Sequence, residues 1–183
     1  MLQTRLIGLF TRFVDEQIRA IEETKVKIKK RKGVIAFIKI FPNFSAAIET
    51  MLPAAADERG DVRTMVDDAY ARINRTMWES LKVIAKESPG QTASTGLVQG
   101  DPEDKEILNY HILLIENMNH YVEEVEERTD AVLAEWRAKA VSEMQDHLAL
   151  YVDAVIRRPL GKLLVCVAAD SVRSHSSRPT LAS

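Results

Sequence analysis

The stretch from Pro102 to Arg158 constrains this chain most: it holds no glycine, and no proline follows Pro102 until Pro159. It opens with an N-cap residue, Asp101, then Pro102 at the first helical position and Glu103 and Asp104 in the first turn, a start that suits the helix dipole. From there Leu108, His111, Ile115, Met118, Val122, Val125, Thr129, Val132 and Trp136 recur at alternating steps of three and four. That heptad spacing predicts a helix packed lengthwise on another helix. After Trp136 the repeat demands Lys139, but the apolar row resumes at Ala140, Met144, Leu148, Tyr151 and Val155, a four-residue stutter that unwinds a supercoil. One unbroken helix over 102–158 would be on the order of 85 Å long at ~1.5 Å per residue. Its second half, Ala140 to Arg158, is where exposed apolar surface is expected, because the helix suits an uneven bundle whose partners lie only partly within this chain.

The rest of the chain reads as helix too. A first helix is expected over residues 3–29, with Leu6, Phe10, Phe13, Val14, Gln17, Ile21, Thr24 and Ile28 on one face. Gly33 is a C-terminal cap or kink. The octet Val34–Phe41 could be a strand by pattern, but no second run exists to pair with it, so a buried helix ended before Pro42 is expected. Asn43 or Ser45 then caps a short helix through Met51, closed by Pro53. A third helix is expected from Asp61 to Lys86, with Val62, Met65, Val66, Ala69, Ile73, Met77, Leu81 and Ile84 inward. Residues 88–100 are a loop by composition. The fold class is therefore all-α, an elongated helical bundle or rod segment with one very long helix. Residues 1–161 form the helical segment; 162–183, rich in serine, form a disordered tail.

Charge narrows the function classes. With 25 basic against 27 acidic residues, nothing in the overall balance argues for nucleic acid. A single cysteine, Cys166, excludes an internal disulfide and any Cys-based zinc cluster. No run approaches the ~20 apolar residues of a membrane-spanning helix, and the charged N-terminal segment argues against a signal peptide. Catalytic and metal chemistry find little footing. Glu116 with His120, and Glu143 with His147, share helix faces at i, i+4, but di-iron bundles use an i, i+3 spacing with further carboxylates, so these read as exposed polar residues. His111 sits at a core-like heptad position and reads as a hydrogen-bonded packing histidine. Cys166 and His175 fall where no rigid shell would hold a dyad. The 88–100 loop lacks the Gly-Lys-Ser/Thr of a phosphate loop. No enzyme, cofactor, metal or small-molecule substrate is expected.

The sharpest charged feature is the run Lys25, Lys27, Lys29, Lys30, Arg31 and Lys32. It could meet anionic lipid headgroups at about 1 kcal/mol per basic residue, or an acidic partner. It could instead be a solvated helix end, or pair with the acidic strip at Glu123, Glu124, Glu126 and Glu127. No aromatic interleaving supports nucleic acid.

Two passages resemble a known family. Phe13-Val14-Asp15-Glu16-Gln17-Ile18-Arg19-Ala20-Ile21-Glu22, running through the lysine-rich stretch into Ile40-Phe41-Pro42-Asn43-Phe44, is the first; Ile115-Glu116-Asn117-Met118-Asn119-His120-Tyr121 is the second. Both are similar to the C-terminal region of the exocyst complex component one (Sec-three subunit) family in its fungal form, over residues 10 to about 161. The resemblance implies an all-helical rod segment of a complex that tethers secretory vesicles to the plasma membrane in exocytosis. It implies other exocyst subunits as partners, and a cytoplasmic location peripheral to the plasma membrane at sites of polarised secretion. The family's lipid- and GTPase-binding domain lies N-terminal to this region, so none of its sites map onto these residues. Beyond Leu160-Gly161 the chain is expected to leave the family pattern. The alternative is a peripheral membrane-binding helical module acting through the basic run 25–32.

Overall fold

The computed structural model describes residues 2–27, 33–52, 60–86, 102–128 and 131–175, and the side chains of most of them. Five α-helices follow one another: α1 (Leu2–Lys27), α2 (Ala36–Met51), α3 (Gly60–Lys86), α4 (Pro102–Glu127) and α5 (Ala134–His175), with a 3-10 turn at Ala131–Leu133 before α5. No strand occurs among the described residues, so the all-α expectation holds.

The single very long helix does not. The chain leaves helical geometry after Glu127 and folds back, so α4 and α5 form an antiparallel hairpin. Near the turn Arg137 reaches Glu126 at 2.6 Å, and farther along His147 meets His111. The sequence signal for the break lies in charge and residue type rather than in a glycine or proline. Acidic residues at 123, 124, 126 and 127 crowd the negative end of α4's dipole, where anions are unfavourable. Thr129 and Asp130, two N-cap residue types, then precede the new helix, whose first turn carries Glu135. Arg128 stabilises the end of α4: its guanidinium donates to the Glu124 carbonyl at 2.8 Å, pairs with the Glu124 carboxylate and bonds Asn43 Oδ1 of α2 at 2.7 Å. The heptad row keeps its role up to this point, with His111, Met118, Val122 and Val125 buried. Beyond the turn the register resets: Leu133 is fully buried, whereas the expected core residue Val132 is exposed.

Pro42 overturns a second expectation. It lies inside α2, which runs unbroken from Ala36 to Met51. A proline there leaves the Ile38 carbonyl without its intrahelical N–H, at a cost of ~3 kcal/mol in an ordinary helix. Tertiary packing offsets that cost. Phe37, Ile38, Phe41 and Pro42 are all buried, and Phe44 links the Phe13 ring of α1, 5.7 Å away, to the Tyr70 ring of α3, 6.3 Å away. Asn43 and Ser45 therefore cap nothing; their side chains donate back to the carbonyls of Lys39 and Pro42 within the helix. Before α2, Gly33 takes φ 78°, the left-handed conformation that glycine adopts at no steric cost.

The stop expected at Arg158–Pro159 is not observed either, since α5 continues through Pro159 to His175. Leu160, Lys162, Leu163, Leu164 and Ala168 are good helix formers that carry the segment onward. Residues 176–183 of the expected tail, the loop 88–100, Pro53 and the cap Asp101 lie outside the described residues.

The core is one cluster. Val14 and Ile21 of α1 join Val66, Ala69, Ile73, Met77, Leu81 and Ile84 of α3, then Leu114, Met118 and Tyr121 of α4, and Ala140 of α5. Three of its buried polar groups hold helices together. Asn117 of α4 accepts the Ile35 N–H at 2.8 Å, and so satisfies the chain entering α2. Tyr121 of α4 donates to Asn74 Oδ1 of α3 at 2.8 Å, and Asn74 donates back to the Tyr70 carbonyl. Because an unsatisfied buried polar group costs about 1–3 kcal/mol, these bonds admit one arrangement of α2, α3 and α4 and penalise slipped ones.

Candidate interaction surface

Among the described side chains, an apolar row of α5 passes from the core into solvent. Ala140 faces the core, and Val141 and Met144 are half-buried against it. Continuing from Val141 and Met144 at helical spacing come Leu148, Val152, Val155 and Ile156, which are exposed by 46, 43, 40 and 47%. Leu160, one turn beyond Ile156, is exposed as well. Residues at i, i+4, i+7 and i+8 share a face, so these form one continuous strip running out of the core into solvent. Single exposed leucines are ordinary, but a strip along three turns is the mark of an interaction surface. The expectation that apolar surface is exposed between Ala140 and Arg158 is met here, although the geometry behind it is a hairpin arm rather than the far half of a straight helix.

A second exposed group lies on α1. Leu6 and Leu9 are exposed by 67 and 64%, with Phe13 partly covered by Phe44. The expected inward face of α1 is thus narrower than its apolar content: Phe10, Val14 and Ile21 pack on α3, while Leu6 and Phe13 look outward. Beside them an open groove of about 460 Å³ is lined by Phe10, Val14, Asp61, Met65, Asp68 and Arg72, among others.

The charged groups are mostly engaged. Arg63 of α3 donates from Nη1 to both carboxylate oxygens of Glu49 on α2, at 2.8 and 2.9 Å, and also binds Asp67. Its guanidinium lies over the Tyr70 ring, and those two carboxylates hold its pKa above the usual arginine value. Arg72 ties α3 to Asp15 of α1 at 2.6 Å. Within the acidic strip Glu124 and Glu126 are taken by Arg128 and Arg137. Of the basic run, Lys25 is half-buried near the end of α1 and has an interaction partner. Lys27 is the last residue of α1, and Lys29, Lys30, Arg31 and Lys32 lie outside the described residues.

The paired residues Glu143 and His147 are not the solvated polar pair that their spacing suggests. Both are partly buried; Glu143 pairs with Lys82 of α3 at 2.7 Å and His147 bonds His111. His111 is the buried, hydrogen-bonded packing histidine its heptad position predicts. Its partner was invisible in the sequence because a straight helix would hold the two rings far apart. Among the described residues no group of three or more His, Cys, Asp and Glu is placed to hold a metal ion, and no helix is long and apolar enough to cross a membrane.

Comparison with known proteins identifies the family of the sequence. A family profile described as "Exocyst complex component Sec3, C-terminal" matches residues 1–178, so the family pattern continues past Leu160-Gly161, where the sequence was expected to leave it. The mouse (Mus musculus) protein "Exocyst complex component 1" is 27% identical over 154 residues, covering 84% of this chain and 15% of its own length. No solved structure matches the chain. With nearly its whole length inside that profile, the chain belongs to the exocyst complex component Sec3 C-terminal family.

Proposed function

We propose that this chain is a structural, non-enzymatic segment of an exocyst subunit, acting in the tethering of secretory vesicles at the cytoplasmic face of the plasma membrane. Its role is mechanical. The α1–α4 core holds α5 in a fixed position, and α5 offers the strip Leu148, Val152, Val155 and Ile156 to an amphipathic helix of another exocyst subunit. The observation that carries this reading is that strip, continuous with the core at Val141 and Met144 yet open to solvent. Family membership supports the identity of the partner. Each of the four is 40–47% exposed, so covering them with a helix gains roughly half of the 1.5–3 kcal/mol that full burial of such a side chain is worth, together enough to anchor one helix within a larger interface. Membrane contact through Lys25–Lys32 draws no support from the described residues.

Affinity capture from cell extract tests the reading, with the chain as bait and the recovered proteins identified by mass. Other exocyst subunits are expected with the wild type, and their recovery falls at least about tenfold with Val152→Glu/Ile156→Glu, as loss of a buried apolar anchor implies. Recovery of no exocyst subunit by the wild type contradicts the proposal. Undiminished recovery by the double variant contradicts the assignment of the strip.

A further inference from the structure

His111 on α4 and His147 on α5 face each other across the hairpin, with 3.1 Å between their Nδ1 atoms. Neither ring is free in solvent: His111 is buried, His147 is partly buried, and the Tyr110 ring packs edge-on against both, with centroids 5.2 and 5.7 Å away. A hydrogen bond between two Nδ1 atoms needs one N–H donor and one lone pair. Two neutral rings satisfy it when one carries its proton on Nδ1 and the other on Nε2. One imidazolium and one neutral ring satisfy it too, with the charged ring donating. Two imidazolium rings do not, because both Nδ1 atoms then carry hydrogens directed at each other at 3.1 Å.

We propose that His111 and His147 form a proton-controlled latch on the α4–α5 hairpin, closed while at most one of the rings is charged and opened by the second proton. The charged groups around the pair tune it without removing the conflict. On α5, Glu143 and Asp146 favour a proton on His147; on α3, Lys82 opposes it, and its ion pair with Glu143 partly cancels both. On α4, Tyr110 contributes a neutral ring edge, and the charge on His147 itself opposes protonation of His111. Desolvation is the largest influence on both rings and lowers both pKa values below 6.5.

The sign follows from these directions. Well above pH 6.5, by about a unit or more, both rings are mostly neutral whether the chain is folded or unfolded, and the latch adds its full contribution. As the pH falls below 6.5 the unfolded chain takes up protons that the folded hairpin refuses, so stability declines. Each unit by which an imidazole is held below 6.5 costs about tenfold in the folding equilibrium constant at acid pH. The device acts on the position of α5 and stands whether or not the apolar strip binds another subunit.

An NMR titration of the four histidines in the full chain tests it, together with urea unfolding at pH 7.5 and 5.5. His111 and His147 are expected to titrate below 6.5 as a coupled pair, with the unfolding midpoint dropping at the lower pH. In His111→Phe and His147→Phe, which keep a ring against Tyr110, the drop shrinks and the remaining ring loses its coupling. Titration of both rings at or above 6.5 in the wild type overturns the proposal, and this needs no variant to fold. An undiminished pH dependence in both variants overturns it as well.

Discussion

At the scale of single residues, the fold rests on polar side chains buried between helices. Tyr121→Phe removes the donor to Asn74 Oδ1 but keeps the ring that packs edge-on against Trp78, 5.1 Å between centroids. Leaving that oxygen unsatisfied is expected to cost about 1–3 kcal/mol, read as a lower urea midpoint with an unchanged slope. Asn117→Leu strands the buried Ile35 N–H and is expected to destabilise by a similar amount, about 1–3 kcal/mol. Neither role was legible in the sequence. An Asn off the heptad row reads as an outward residue, and the partner of Asn117 is a donor 82 positions away along the chain. His111 was legible because it occupied an inward heptad position, and Arg63 was not, because its carboxylate partner Glu49 belongs to a different helix.

At the scale of elements, periodicity identified the helical segments but not every break: it divided α2 at Pro42 and joined α4 to α5. α3 follows its apolar pattern almost residue for residue, from Val66 to Ile84, because nothing in it competes with helix formation. The two misplaced boundaries at prolines, Pro42 and Pro159, share a cause: local chemistry argues for a stop, and the surrounding helix continues through it. The α4–α5 turn is the converse, a reversal with no glycine or proline to announce it. Leu133, fully buried just beyond that turn, closes the core there. Leu133→Ala is expected to cost about 2–5 kcal/mol, measured by urea unfolding. By contrast, Val152→Glu/Ile156→Glu changes only exposed positions and is expected to shift stability by no more than about 0.5 kcal/mol per site, even while it lowers capture of exocyst subunits at least about tenfold. A large loss of stability in that variant would show that the strip belongs to this chain's own core.

At the scale of the whole molecule, the sequence revealed the fold class and the location of the exposed apolar surface but not the shape. One straight helix and a hairpin satisfy the same heptads, and they differ only in whether the helices covering α4 come from outside or from α5. The hairpin answers that: α5 packs on α4 at Tyr110 and His111, and the strip beyond His147 is exposed. Both the proposed docking surface and the proposed histidine latch require this geometry, so the fold-back is the claim on which the account depends. It is tested by pulsed electron–electron spin-resonance distances between labels at Asn109→Cys and Ala149→Cys, two exposed positions, with Cys166→Ser to remove the native thiol. Packed hairpin arms have axes about 8–10 Å apart, which places the labels less than about 30 Å from each other. A distance near 60 Å, as about 1.5 Å per residue along one continuous helix requires, would contradict it.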